Sequence, residues 1–324
     1  MFRSILAAAL VLFLPLAAAA QTPPPSEAEA PPPRLRQRDY SETAITSRAG
    51  LEYRILVSVP RGPAPDGGFP VFYILDGDAF FNTAVEIARM REWGRLPPSI
   101  IVGVGYPSRG FYDGPRRNMD FTPPAFSDPT FDPAEVGGAE RFLAFLTGEL
   151  KPWVASRYAV DPHHQILFGH SLGGLFTLHA LYTAPQSFNV YIAASPSIRL
   201  SDRLIVREAA AFAAQPQEQS DAVRALITVG ALESGRNEDQ IDDYRRWFTA
   251  HPEATGGQDV EAALREMFPA EHFDKVGETR RLARRLERSG VDVQFLAFEV
   301  DEHLPAGVDA LLHGIPFALR PSRR

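Results

Sequence analysis

The sequence predicts an α/β domain in which helices flank a mostly parallel central sheet. Val71–Leu75 and Ile100–Val104 are uninterrupted apolar runs, typical of strands that are buried on both faces. A segment with helical periodicity, from about Phe80 to Trp93, joins these two runs. Strands that alternate with helices along a chain form parallel sheets with right-handed crossovers.

The same alternation continues to the end of the chain. The other predicted strands are Leu51–Val59, Gln165–Phe168, Val190–Ala194, Ala225–Val229 and Val291–Glu299. The other predicted helices are Ala139–Arg157, Leu175–Leu181, Arg203–Ala214 and Ala306–Ala318. Tyr106–Gly138 and Ser234–Glu271 interrupt the pattern after strand ends, where open α/β sheets place their binding sites. We therefore predict that these two long segments are lid-like insertions or binding loops, the second of them with short amphipathic helices.

The N-terminal segment predicts export from the cytoplasm. Arg3 supplies the positive charge of a short N-terminal region, and Ile5–Leu16 is an apolar stretch too short to span a bilayer. Ala17–Ala20 is a run of small residues that resembles a signal-peptide cleavage site. We expect a signal peptide over residues 1–20 that leaves no stable membrane anchor after cleavage, and hence a periplasmic or extracellular protein. Residues 21–38 are rich in Pro and Ala and predict a disordered tether. Residues 39–324 then form a single domain.

Composition narrows the classes of partner. The formal net charge is −7 and there is no cysteine, so disulfides and thiolate metal ligands are excluded. A nucleic-acid surface would need a basic patch interleaved with aromatic residues. The one dense basic run, Arg280–Arg288, alternates with apolar residues and predicts a solvated helix face. No His-Glu-x-x-His zinc motif occurs. We expect no nucleic-acid partner, no metal ion and no organic cofactor.

A short glycine-rich turn predicts a catalytic serine. Gly169–Gly174 reads Gly-His-Ser-Leu-Gly-Gly and lies between a buried strand and an apolar helix. A serine on such a strand-to-helix turn is exposed to a general base, and Gly169 and Gly173 keep other side chains out of the turn. The backbone N–H of Leu172 is expected to stabilise an oxyanion. We predict Ser171 as a nucleophile, the alternative being an ordinary Gly-Ser turn before a core helix.

The partners of this serine should follow it in the chain order serine, acid, histidine. His303 lies just beyond the last predicted strand and is the predicted general base, with His272 as its competitor. Glu233 is the first carboxylate after the strand Ala225–Val229 and is the predicted acid. The alternatives for the acid are Glu238, Asp239 and Asp301.

The loop after Val71–Leu75 allows two interpretations. It reads Asp-Gly-Asp, and a backbone N–H near Asp78 at a helix start would supply the second oxyanion donor, with Asp76 organising the loop. A magnesium-dependent phosphatase of the haloacid dehalogenase type would instead use the Asp76 and Asp78 carboxylates. That alternative departs from its motif at Phe80 and leaves the serine turn unexplained.

Several segments together resemble a known family. They are Phe72–Asp78, Val102–Pro107, Glu149–Trp153, Phe168–Gly174 and Ala193–Ser197. They occur in this order in the putative-esterase family of α/β-hydrolases, and the chain most resembles its siderophore trilactone esterase branch. The resemblance covers about Ser41 to Leu319 and implies the α/β-hydrolase fold.

The resemblance also implies roles for individual residues. By position it implies Ser171 as nucleophile, His303 as general base, and the N–H groups of Asp78 and Leu172 as oxyanion hole. Glu233 falls where the related mycolyltransferases keep their acid. In some siderophore esterases a Ser-His dyad is argued to suffice, so the need for this acid stays open.

Substrate contacts are predicted from charge and aromaticity. Arg116 and Arg117 are interpreted either as contacts for an anionic catecholate or ferric complex, or as a solvated pair in a loop. Phe80 and Phe81 are predicted to line an acyl or aryl pocket. Phe111 and Tyr112 belong to the same set, of which at least half is expected to be ordinary core.

These observations predict a serine carboxylic-ester hydrolase that works through an acyl-enzyme on a small-molecule ester such as an enterobactin-like trilactone. An acyl, aryl or carbohydrate (feruloyl or acetyl) esterase and an acyltransferase share the same predicted site. A non-catalytic binding protein and the phosphatase are the more remote alternatives. The sequence leaves the oligomeric state open.

Overall fold

The computed structural model describes residues 40–93, 96–108, 110–214, 223–234, 238–255, 259–267, 273–299 and 301–320. The predicted signal peptide and tether, and His272, lie outside the described residues. Within the ranges given, no helix combines the length and the apolarity needed to cross a bilayer.

A twisted sheet of eight strands forms the centre of the described domain, in the order β1-β2-β4-β3-β5-β6-β7-β8. The strands are β1 Ser41–Thr46, β2 Glu52–Ser58, β3 Phe69–Ile74, β4 Ile100–Gly105, β5 Val160–His170, β6 Val190–Ala194, β7 Arg224–Gly230 and β8 Asp292–Phe298. The pairs β1–β2 and β2–β4 are antiparallel, and the others are parallel. All strands from β3 to β8 therefore end at the same edge of the sheet.

Helices follow the strands on both faces. They are α1 Gly77–Trp93, α2 Gly114–Phe121, α3 Ala139–Phe145, α4 Lys151–Ala155, α5 Leu172–Thr183, α6 Leu200–Ala213, α7 Glu238–Ala250, α8 Val260–Met267, α9 Lys275–Arg288 and α10 Pro305–Leu319. A π-helical turn, Leu146–Leu150, joins α3 to α4. Buried residues of α1 and α10 share one core cluster with one face of the sheet. Those of α3, α5, α6 and α9 share the other cluster with the opposite face.

The structure confirms the predicted fold class and all seven predicted strands. It adds β1, which has the sequence Ser-Glu-Thr-Ala-Ile-Thr and lies at the sheet edge with most side chains exposed. Such a strand lacks the apolar residues by which buried strands are identified. The two long insertions also contain regular structure, α2 in the first and α7 and α8 in the second. Arg116 and Arg117 consequently lie on a helix and not in a loop.

Aromatic packing around Phe142 predicts a large stability effect. Its ring is fully buried, with ring centroids of Phe176, Tyr53 and Phe121 at 5.1, 5.5 and 5.6 Å. Phe142→Ala should lower the free energy of unfolding by about 3–5 kcal/mol, because it removes the buried ring and leaves a cavity. Guanidinium unfolding measures this change. Trp93→Ala is the control, since Trp93 is 94% exposed and should change stability by no more than about 0.5 kcal/mol. Equal losses in the two variants would contradict this packing.

Candidate active site

Three predicted residues meet beyond the carboxyl ends of the parallel strands. Ser171 follows β5, Glu233 follows β7 and His303 follows β8. Ser171 Oγ lies 2.9 Å from His303 Nε2, and His303 Nδ1 lies 2.5 Å from Glu233 Oε2. When Nδ1–H donates to the carboxylate, Nε2 is left as an acceptor for the serine hydroxyl. The hydrogen bonds thus form the arrangement that a serine nucleophile, a general base and an orienting acid require.

The turn that carries Ser171 is strained, and glycines make it possible. Ser171 has φ 59° and ψ −118°, which non-glycine residues rarely adopt outside functional sites. A Cβ atom on Gly169 would lie 2.2 Å from the carbonyl oxygen of Gly173. A Cβ on Gly174 would lie 2.9 Å from the carbonyl oxygen of Ala194. These close backbone approaches explain Gly169 and Gly174. The prediction for Gly173 is not confirmed, because a Cβ there would meet its nearest neighbour at an ordinary contact distance of 3.5 Å.

The two residues predicted for the oxyanion hole begin neighbouring helices. Leu172 is the first residue of α5 and Asp78 the second of α1, and the first N–H groups of a helix have no acceptor within it. The two helix starts are close, because a Cβ atom on Gly173 would lie 3.5 Å from Asp76 Oδ2 and 3.7 Å from Leu75 Cβ. This arrangement suits donation by the N–H groups of Leu172 and Asp78 to one oxygen atom. Their role as an oxyanion hole stays a prediction.

The Asp76 and Asp78 carboxylates are both paired with guanidinium groups. Arg117 Nε and Nη2 each donate to one oxygen of Asp76 at 3.1 Å, and Arg54 forms an ion pair with Asp78. Asp76 also has φ 48°, which the paired side chain helps to hold. Carboxylates engaged in this way are structural supports of the β3–α1 loop, which argues against the phosphatase interpretation.

The predicted substrate arginines both have internal partners. Besides binding Asp76, the Arg117 guanidinium carbon lies 4.6 Å from the centroid of the Tyr112 ring. The corresponding atom of Arg116 lies 5.1 Å from the Tyr53 ring centroid, and its Nη2 donates to the backbone oxygen of Glu52 at 3.3 Å. The interpretation of a solvated loop pair is therefore wrong. Contact of either arginine with an anionic substrate stays a prediction.

The structure corrects the prediction that Phe80 and Phe81 line a pocket. Their side chains are 3% and 1% exposed and belong to the core between α1 and the sheet. Phe80 packs edge-on against Phe168. The close approach of the Phe81 ring to β4 requires a glycine at Gly103, where a Cβ would lie 2.9 Å from Phe81 Cδ2. Of the same aromatic set, Phe111 is exposed.

Four donors surround the Glu233 carboxylate. Oε1 accepts hydrogen bonds from Ser195 Oγ at 2.6 Å and from the Gly230 N–H at 2.7 Å. Oε2 accepts from His303 Nδ1 and from Lys275 Nζ, each at 2.5 Å. Of the alternatives considered for the acid, Asp301 is buried and its backbone oxygen accepts the N–H of Leu232. The sequence did not indicate Lys275, because a lysine at a helix start has the appearance of a solvated side chain.

These contacts control the protonation states of the acid and the base. Burial alone would raise the pKa of Glu233, but the charges of Lys275 and His303 and their hydrogen bonds hold it well below the usual range. Burial, and next the charge of Lys275, lower the pKa of His303 against the opposing effect of Glu233. At neutral pH the acid is ionised and the histidine neutral, as general-base catalysis requires.

His170, the residue before Ser171, contacts the general base His303 through a hydrogen bond and through ring packing. Its Nε2–H donates to the backbone oxygen of His303 at 2.7 Å, and the centroids of the two rings are 4.6 Å apart. Burial lowers the pKa of His170 well below its usual range, so its ring is neutral. The structure explains the position of His170 as support for the His303 backbone.

Comparison with known proteins identifies the family. Residues 46–299 match the sequence profile of the family described as "Putative esterase". The chain belongs to this family. The ferri-bacillibactin esterase BesA of Bacillus subtilis (strain 168) is 35% identical over 208 residues, which cover 60% of this chain and 71% of that relative. A siderophore triacetylfusarinine C esterase of Aspergillus fumigatus is 42% identical over 195 residues, which cover 55% of this chain and 62% of that relative.

A solved structure shares the fold of this chain. The crystal structure of the BES protein from Bacillus cereus superimposes with a TM-score of 0.69 at 29% sequence identity, covering 89% of this chain and 97% of that one. The predicted α/β-hydrolase fold and the predicted resemblance to siderophore esterases are thereby confirmed. The chain is a serine esterase of this fold.

The close packing of Gly169 in the serine turn predicts a loss of stability when this glycine is replaced. Gly169→Ala should destabilise the protein by about 1–3 kcal/mol or more, because its Cβ meets backbone atoms that cannot move freely. Thermal unfolding measures the change. Gly148→Ala is the matched control: a Cβ there meets nothing within 4 Å, and alanine in a helical segment should add up to about 1 kcal/mol. A Gly169 variant as stable as the Gly148 variant would contradict the close approach.

Proposed function

We propose that this serine esterase hydrolyses siderophore esters, with trilactones of the enterobactin type as its substrates, and that Ser171 carries the acyl group. The observation that carries the proposal is the continuous hydrogen-bond chain from Ser171 through His303 to Glu233. The relatives' names support the substrate class, since one acts on ferri-bacillibactin and another on triacetylfusarinine C. The ferric ion that such a ligand carries belongs to the substrate.

The first half of the reaction forms an acyl-enzyme. His303 Nε2 takes the hydroxyl proton of Ser171 as Oγ attacks the ester carbonyl carbon. The carbonyl oxygen becomes an oxyanion, for which the N–H groups of Leu172 and Asp78 are the proposed donors. Glu233 stabilises the imidazolium that forms on His303. The intermediate collapses, the carbon–oxygen bond to the alcohol breaks, and the alcohol leaves with the proton from His303.

The second half releases the acid. His303 Nε2 takes a proton from a water molecule, whose oxygen attacks the acyl carbon. The second intermediate expels Ser171 Oγ, which recovers its proton from His303. A trilactone has three ester bonds, so three such cycles would give the linear monomers. Every step uses protein groups and water alone.

The proposed location is outside the inner membrane. It is supported by the sequence of residues 1–20, with its basic start, short apolar stretch and small-residue end. The absence of cysteine from the whole chain is compatible with an oxidising compartment.

Active-site labelling with a fluorophosphonate tests the nucleophile. Wild-type protein should gain one adduct, located on Ser171 by mass spectrometry. Ser171→Ala should lose the adduct and lower ester hydrolysis by about a thousandfold or more, because the attacking oxygen is gone. Ser197→Ala is the matched control, since its Oγ lies only 3.4 Å from Ser171 Oγ and should be dispensable for labelling. An adduct that persists in Ser171→Ala would refute the assignment.

The same labelling reaction tests the substrate class. A ferric trilactone siderophore, added as competitor, should slow the labelling of Ser171 and be converted to linear products. A hydroxamate siderophore without ester bonds should do neither. If the trilactone left the labelling rate unchanged, the protein would still be a serine esterase, but trilactones would be excluded as its substrates. Aryl and carbohydrate esters would then be tested as competitors.

A further inference from the structure

We infer that Lys275 is a positioning residue of this active site, whose ammonium group binds the Glu233 carboxylate and opposes protonation of His303. The base thereby stays neutral and competent under mildly acidic conditions. This inference rests on the proposed roles of Ser171, His303 and Glu233, and it assigns a function to a side chain that the hydrolytic steps themselves do not use.

Among the described residues, the polar contacts of the Lys275 ammonium group all lie within the active site. Its Nζ donates to Glu233 Oε2 at 2.5 Å and to the backbone oxygen of Ser195 at 3.3 Å, and it lies 3.4 Å from His303 Nδ1. The side chain is 12% exposed. An ammonium group has donors and no acceptor, so Lys275 cannot take the proton that His303 Nδ1 donates. It shares one carboxylate oxygen with the histidine.

Helix formation does not explain a lysine at this position. Lys275 is the first residue of α9, and the preceding Asp274 caps that helix by accepting the N–H of Gly277 at 2.8 Å. A positive charge at a helix N-terminus is unfavourable, because the helix dipole is positive there. The partners that compensate this charge are Glu233 and Ser195, both outside α9. The position of the lysine is therefore explained by the active site and not by its helix.

The orientation of Glu233 does not depend on Lys275 alone. Ser195 Oγ and the Gly230 N–H hold Oε1 independently of the lysine. Lys275 adds a positive charge beside Glu233 Oε2, the oxygen that accepts the hydrogen bond of His303 Nδ1. An imidazolium on His303, whose side chain is 27% exposed, would lie next to this ammonium, which is 12% exposed, and the two like charges would repel each other.

Several other charged or titratable groups lie around the base. They are Glu233 after β7, His170 of β5, Arg117 of α2, Tyr244 of α7, and Asp301 and Glu302 in the segment before α10. Burial has the largest lowering effect on the pKa of His303, the charge of Lys275 follows, and Arg117 contributes less. Glu233 opposes all three. Both cations are paired with a carboxylate, Arg117 with Asp76 and Lys275 with Glu233, but Lys275 has the larger effect on His303 and is the main charge that acts against protonation.

The sign of the effect on activity follows from the role of the base. His303 accepts a proton from Ser171 only when it is neutral, so activity falls as the pH falls through the pKa of His303. A lowered pKa moves this acid limb to lower pH. Removing the charge of Lys275 should move it back to higher pH. In the wild type Glu233 stays ionised over this range, because its own pKa is held well below its usual value. In the variant, the charge and hydrogen bond of His303 and the donors Ser195 Oγ and Gly230 N–H still favour its ionised form.

The test is the pH dependence of the second-order rate constant for fluorophosphonate labelling of Ser171. Lys275→Met removes the charge, Lys275→Arg retains it, and Ser195→Ala removes a neutral contact to the same carboxylate. We expect Lys275→Met to move the midpoint of the acid limb upward by about one pH unit, with Lys275→Arg close to wild type. Ser195→Ala should lower the rate constant without moving the midpoint.

An unmoved midpoint in Lys275→Met, with a rate constant lowered equally at every pH, would overturn the inference and leave Lys275 a structural role. Should that variant not fold, Lys275→Gln provides a neutral polar side chain and is judged by the same midpoint. Failure of the proposed function has a different signature, because wild-type Ser171 would then not be labelled at any pH.

Discussion

The active site depends on one buried ion cluster, in which the Glu233 carboxylate accepts four hydrogen bonds. Burying a carboxylate is unfavourable unless charge and donors compensate for the lost water, and here Lys275, His303, Ser195 and the Gly230 N–H do so. The same contacts orient the imidazole toward the serine. Because both carboxylate oxygens are fully engaged, the carboxylate cannot rotate without breaking several of these bonds.

The sheet supplies the positions for this cluster. Parallel strands β5, β7 and β8 end at one edge, which brings residues more than a hundred positions apart within hydrogen-bond distance. The turn after β5 then requires backbone contacts that only glycine permits, as at Gly169. Behind it, the Arg117–Asp76 pair supports the loop before α1. The fold and the active site are therefore linked through the close backbone approach at Gly169 and the side-chain ion pair of Arg117 and Asp76.

Much of this could be predicted from the sequence, because buried strands and the serine turn have local patterns. Ser171, Glu233 and His303 follow from chain order and strand ends, and the structure brings them together. Strand β1 was missed because an exposed edge strand lacks apolar alternation. Phe80 and Phe81 were misplaced because aromaticity does not reveal whether a ring faces a pocket or the core. Lys275 was not predicted, since a lysine at a helix start has the appearance of a solvated side chain.

The catalytic role of the Glu233 carboxylate is tested most directly by the labelling rate constant of Glu233→Gln, a variant that keeps the shape of the side chain and removes its charge. We expect a loss of about a hundredfold to ten-thousandfold relative to wild type, because His303 loses the partner that holds its tautomer and stabilises its charged form. A rate constant equal to that of wild type would contradict it. Ser171 and His303 would then suffice as a dyad, and the buried carboxylate would serve stability alone.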